Sequence, residues 1–114
     1  MRLPNAENAV VDIVKLRDYC LNANHPKGKH KARVFLEKLG ITSNDAGQLR
    51  QLILEATLTA EATEEQPTAY GRRFIVDFQV QWPQGFMMCT ARVRSAWIVR
   101  NGEDFPRLTT CFIP

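Results

Sequence analysis

The densest chemistry in the chain lies at Lys27-Gly28-Lys29-His30-Lys31, with Arg33 two residues on. Histidine is the side chain most often used as a general acid or base, and cations crowded around it attract a phosphodiester. Backbone N–H groups at the start of a helix would add to that anion affinity. The competing reading is an exposed basic loop that keeps the domain in solution. A second group is Arg92-Val93-Arg94-Ser95-Ala96-Trp97. Alternate positions of a strand project from one face, so Arg92 and Arg94 could together clamp phosphate oxygens. A salt bridge to Asp77 or Glu103 competes for either arginine. Trp97 falls in register with Val93 and Val99, which makes core packing its default and base stacking its functional alternative. The third group is Pro106-Arg107-Leu108-Thr109-Thr110, where alternation puts Thr109 on the side of Arg107 and Thr110 on the other.

Other chemistries find little support. There is no phosphate-binding glycine loop, no G-x-S-x-G elbow and no H-E-x-x-H. The two histidines, His25 and His30, have no cysteine near them in sequence, so a structural zinc site is not expected, and the leading reading needs neither a metal nor an organic cofactor. Glu103 is the only glutamate suitably placed for an ADP-ribosyl-type transfer, and a hairpin-loop pairing with Arg100 or Arg107 suits it better.

These groups must be held by elements that the hydrophobic pattern outlines. A helix is expected from about Asn8 to Leu21, with Val10, Ile13, Val14, Arg17 and Leu21 near one face and Leu16 and Cys20 beside it. Val10, Val11 and Ile13 could equally open as a short strand. After a polar loop at 22–28, a second helix runs from Lys29 to Leu39 and stops at Gly40, with Ala32, Phe35, Leu36 and Leu39 inward. Thr42 to Asp45 offer N-caps for a third helix to about Ala60, inward at Ala46, Leu49, Leu52, Ile53 and Ala56. The acidic, proline-bearing stretch 61–68 reads as a loop.

The period changes to two after Tyr70. Phe74, Val76, Phe78, Val80 and Trp82 alternate with Ile75, Asp77, Gln79 and Gln81, and Pro83-Gln84-Gly85 reads as a turn. A second strand carries Cys89 to Val99 on its apolar side, a loop spans Asn101 to Pro106, and Leu108 to Ile113 forms a third. The expected class is α+β, with N-terminal helices (1–62) packed on one face of a C-terminal antiparallel sheet (70–114). The opposite face would present Asp77, Gln79, Gln81, Arg92, Arg94 and Thr109 to water or a ligand.

At 114 residues the chain is expected to be one domain. Fifteen Lys and Arg against twelve Asp and Glu give a net charge of +3, which permits an anionic partner without requiring one. The two basic blocks, before Glu37 and after residue 70, would make a patch if the fold joins them. Cys20, Cys89 and Cys111 fit reduced thiols better than a disulfide framework. No apolar run approaches the ~20 residues of a membrane span and no signal peptide is visible, so no membrane partner and a cytoplasmic location are expected.

The run Leu16-Arg-Asp-Tyr-Cys-Leu21-Asn22, His25-Pro26, Gly28, Lys29-His30-Lys31-Ala32 and Phe35 to Leu39-Gly40 resembles the front of a bacterial domain-of-unknown-function family. Tyr70-Gly71, Val76-Asp77, Val93-Arg94-Ser95-Ala96-Trp97 and Pro106-Arg107-Leu108-Thr109 match its back half in order. Such domains occur as small toxin-like proteins beside a possible antitoxin gene, and at the C-termini of polymorphic toxins and phage head-morphogenesis proteins. They are similar to ribonucleases of the barnase–EndoU–colicin–RelE type. The resemblance implies a metal-independent endoribonuclease toxin whose partners are RNA and a cognate antitoxin or immunity protein. In it His30 is the acid or base, assisted by Lys29 or Lys31. Arg94 and Arg107 stabilise the phosphorane, and Ser95 or Thr109 orients the phosphate. Lys27, Lys31, Arg92 and Trp97 join Ser95 in contacting the substrate. Alternation places Ser95 opposite Arg94, so both serve only if a bulge turns one of them. His25 is the candidate for a second acid–base histidine. The alternative is a non-catalytic module that binds nucleic acid or protein through the same cations.

Overall fold

A computed structural model describes residues 1–114. Its C-terminal half is a four-stranded antiparallel meander in the order β1-β2-β3-β4. The strands are β1 (Ala62–Thr68), β2 (Gly71–Gln84), β3 (Met87–Arg100) and β4 (Arg107–Phe112). Alternation decides the faces of β2 and β3. Phe74, Val76, Val80, Val93 and Trp97 are buried and look toward the helices, while Asp77, Arg92 and Arg94 look away. The expected α+β architecture, helices on one face of the sheet, is the one observed.

Helix α2 (Lys29–Leu39) ends as its sequence foretells. Gly40 adopts φ 77°, and the Ile41 and Gly40 N–H groups donate to the Phe35 and Leu36 carbonyls, closing the last turn. Ala32, Phe35 and Leu39 enter the core, but Leu36 is exposed, on the flank of an apolar stripe narrower than its spacing suggests. Helix α3 (Ala46–Thr57) follows a 3-10 turn whose Thr42 and Asp45 form a capping box, and it buries Ala46, Leu49 and Ile53.

Three elements depart from the sequence reading. The stretch expected to be a loop is β1, pairing Ala62 with Val76 and Glu64 with Phe74. Only Ala62 is buried in it, and Pro67 is tolerated because this is an edge strand. The expected first helix is broken into a 3-10 turn (Ala6–Asn8), a single helical turn α1 (Ile13–Lys15) and a π-helical turn (Leu16–Cys20). Val10 instead bridges β4: its N–H donates to the Pro106 carbonyl, and its carbonyl accepts from Leu108. Val11, Leu16, Cys20 and Leu21 are therefore the buried residues here, while Val10 and Val14 are exposed. Strand β2 runs on through Pro83 and Gln84, leaving Gly85-Phe86 as the turn.

The β2–β3 ribbon is longer than its neighbours. β1 accompanies β2 only as far as Val76, and β4 begins to pair with β3 at Arg94.

Candidate functional site

The segment after the π-turn is folded around His25. The Asn22 carbonyl accepts from the His25 N–H, and the Asn22 side chain accepts from the Asn24 N–H, turning the chain. His25 Nδ1 then accepts from the backbone N–H groups of both Lys27 and Gly28, each at 3.0 Å. A neutral ring held this way carries its proton on Nε2, the nitrogen left free. The ring stands edge-on to Tyr19, centroids 4.7 Å apart. Gly28 is required by proximity, since a Cβ there would lie 2.2 Å from the Tyr19 carbonyl oxygen. The Lys-Gly-Lys spacing thus reflects close packing of the basic segment onto the π-turn.

Lys31, in the first turn of α2, reaches across to the edge of the sheet. Its Nζ donates to Thr110 Oγ1 at 3.1 Å and stands 5.2 Å from the centre of the Phe112 ring and 5.7 Å from that of Tyr19. Beneath it lie two buried thiols. Cys20 Sγ is 3.9 Å from Thr110 Oγ1. The hydrogen bond from Cys111 lowers the Cys20 thiol to about 6, helped by Thr110 and the Lys31 charge against the effect of burial. The same contact with Cys20, together with burial, pushes the Cys111 thiol well up.

A bulge in β4 controls what the edge presents. Trp97 pairs with Leu108 but Ala96 pairs with Thr110, so Thr109 is the extra residue. Leu108 and Cys111 are both buried despite being three apart, and both threonines lie off the core face, contrary to strict alternation. Thr109 donates to the Ala96 carbonyl. It borders a cleft of about 590 Å³ with Asp12, Lys15, Asp18, Tyr19 and His25. It also borders a hollow of about 530 Å³ with Tyr70, Ile98, Arg100 and Asn101. Thr109 therefore joins two concave surfaces across the β4 edge. The cleft's acids are engaged: Asp12 caps the Val14 N–H, and Asp18 is held below the usual carboxylate range by its hydrogen bonds from Arg17. Lys15 makes no ion pair.

The other expected residues are distributed differently. Lys27, Lys29 and His30 are exposed around the start of α2, on the helix side of the sheet, with no side-chain hydrogen bond or ion pair. Arg94 points from the opposite face, where its Nε and Nη2 donate to Asp77 at 2.8 and 2.9 Å. That fork holds the Asp77 carboxyl below its ordinary value. Arg92 approaches the same carboxylate at 3.9 Å. Arg107, also on that face, is bidentate to Glu103 and lies over the Phe105 ring. The sheet thus separates His30 from Arg94 and Arg107, and the single patch expected from the three does not form.

Ser95 and Trp97 are interior. Ser95 Oγ donates to the Val76 carbonyl and accepts from Trp97 Nε1, so both fill hydrogen-bonding needs of the core. No group of three or more His, Cys, Asp or Glu side chains is placed so that it could hold a metal ion. No helix is long and apolar enough to cross a membrane. Tyr19, Tyr70, Arg100 and Thr110 are functional candidates that sequence reasoning missed. No local sequence signal marked them: Tyr19 stands between Asp18 and Cys20, and Tyr70 between Ala69 and Gly71.

A family model described as "Domain of unknown function (DUF6883)" matches residues 2–114. No curated protein and no solved structure matches the chain.

Proposed function

We propose that this chain, which belongs to the DUF6883 family, is a toxin-like, metal-independent endoribonuclease that a cognate antitoxin holds inactive. The observation that carries the reading is the convergence at the β4 edge. His25 and Lys31 come from one basic segment, Thr109 and Thr110 from β4, and Thr109 joins the His25 cleft to the Tyr70–Arg100 hollow. RNA lies across this edge. Tyr70, 77% exposed, offers a face on which a base stacks, and Arg100, Lys15, Lys27 and Lys29 meet phosphates.

The chemistry follows from which ring nitrogens are free. With its Nδ1 engaged as an acceptor by the Lys27 and Gly28 N–H groups, His25 donates from Nε2 to a non-bridging phosphate oxygen. His30, with both nitrogens unengaged, takes the proton from the 2′-hydroxyl. The 2′-oxygen bonds to phosphorus and the bond to the 5′-oxygen breaks. Lys31 gives a proton to that leaving oxygen. The products are a 2′,3′-cyclic phosphate and a 5′-hydroxyl. An acidic antitoxin surface would cover the same cations.

One observation favours a second reading, a module that binds RNA without cutting it: His25 is fixed as a donor, a state suited to binding. The deciding experiment incubates total RNA in EDTA with wild type, His30→Ala and His25→Asn. The asparagine keeps an acceptor for the Lys27 and Gly28 N–H groups. Cleavage to cyclic-phosphate ends is expected, reduced about 10²–10⁴-fold by His30→Ala and about 10²-fold by His25→Asn. RNA that binds but stays intact with every protein would replace this reading by the binding module.

A further inference from the structure

A second concave surface lies on the far side of the molecule, along β2. β1 stops pairing at Val76 while β2 continues to Gln84, so from Asp77 onward the backbone facing away from β3 has no neighbouring strand. Folded proteins blunt such edges with prolines, bulges or charges. Here Pro83 closes one end and Asp77 the other, and Phe78 to Trp82 carry no such device. Two cavities flank this open stretch, about 340 Å³ beside Phe78 and about 500 Å³ beside Trp82. Both are walled by α3, and Leu52 and Glu55 border both of them.

The spacing matches an added strand. Phe78 and Trp82 lie on one face, four residues and thus about 13 Å apart. A strand laid on this edge would place its residues i and i+4 over the two cavities, with i+2 between them, opposite Glu55. Glu55 is exposed and accepts only from Gln51, and no cation lines either cavity. We propose that the Phe78–Trp82 edge takes an extended segment of a partner protein as an additional strand, with apolar residues at i and i+4 and a lysine or arginine at i+2 facing Glu55. Main-chain hydrogen bonds supply affinity and the two cavities with Glu55 supply selectivity. This surface is on the opposite edge of the sheet from β4, and the inference is independent of the ribonuclease reading.

The test titrates the isotope-labelled full chain with a synthetic Thr-Leu-Thr-Arg-Thr-Leu-Thr peptide, capped at both ends, and follows its amide resonances. Saturable shifts and slowed amide exchange within Asp77–Trp82, with a change in Trp82 fluorescence, are expected. A peptide with glutamate in place of arginine should bind about tenfold more weakly, and Glu55→Lys should reverse that order. Three results would overturn the inference: no saturable shift up to millimolar peptide, shifts confined to the other open edge at Met87–Val93, or a preference that Glu55→Lys leaves unchanged.

Discussion

The cleft at the β4 edge and the outer face of the sheet are both rich in cations, yet they hold them differently. On the outer face, Arg94 and Arg107 each give two hydrogen bonds to a carboxylate, Asp77 and Glu103. A phosphate arriving there must displace a partner of the same geometry and charge. At the β4 edge, Lys31 is bound to a hydroxyl and two aromatic rings, and Lys15 has no ionic partner. A phosphate there gains an ammonium without breaking an ion pair. The local partner, more than the number of positive charges, decides which surface is ready for an anion.

The sharpest way to break this contrast is Lys31→Met, which keeps an apolar stem beside Tyr19 and Phe112. RNA cleavage by wild type and variant is compared under one salt condition. A loss of about 10²-fold or more is expected for Lys31→Met, against less than about threefold for Arg94→Met, since a paired arginine is a poor phosphate ligand. The reverse ranking would make the outer face the active surface.

How far the sequence discloses these two surfaces depends on whether the signal is local. Helix α2 with Gly40, and strands β2 and β3, are legible because their apolar periods and caps act within a few residues. β1 is not: its residues after Ala62 are exposed, so no alternation marks it, and the backbone of β2 makes it a strand. The π-turn escapes for a related reason, since its wider turn shifts the buried set to Leu16 and Cys20, beside the face expected of a regular helix. Alternation correctly places Arg94 opposite the apolar face. The same argument excludes a shared patch with the start of α2, because the helix must pack on that apolar face. The contact of Lys31 with Thr110 spans 79 residues of sequence and rests on a bulge, and no short motif encodes it.

The thiols beneath Lys31 sharpen the contrast further, with a smaller effect. Cys20 is lowered to about 6, so its contribution to stability is complete above the unfolded value near 9 and is lost as pH falls through about 6. Cys111 is shifted the other way, and its contribution is lost as pH rises through its elevated value. One thiolate is therefore expected to appear in an absorbance titration with a midpoint near 6, accompanied by a melting temperature that climbs between pH 6 and 9. Lys31→Met should move the midpoint upward, because it removes the ammonium that stabilises the thiolate. A single midpoint at the ordinary thiol value in both proteins would show that the charge at the edge does not reach the pair.

The smallest effect is expected from Asp77→Asn, which tests the outer face from the opposite direction by freeing Arg94 and Arg92. If RNA stays at the β4 edge, its affinity changes less than about threefold and the slope of log affinity against log salt is unchanged. If RNA spreads over the sheet, the released guanidiniums become phosphate ligands and the slope steepens by about one per new contact. The substitution also has a pH signature of its own. Arg94 holds the Asp77 carboxyl below its ordinary value, so the pair's contribution is present above the usual carboxylate range and is lost as pH falls through the lowered value. The difference in melting temperature between wild type and Asp77→Asn should therefore shrink on acidification and be smallest where the wild-type carboxyl is protonated. A variant that melts lower than wild type at neutral pH, with an unchanged salt slope, would assign the Arg94–Asp77 pair to the fold and leave the edge as the only surface prepared for phosphate.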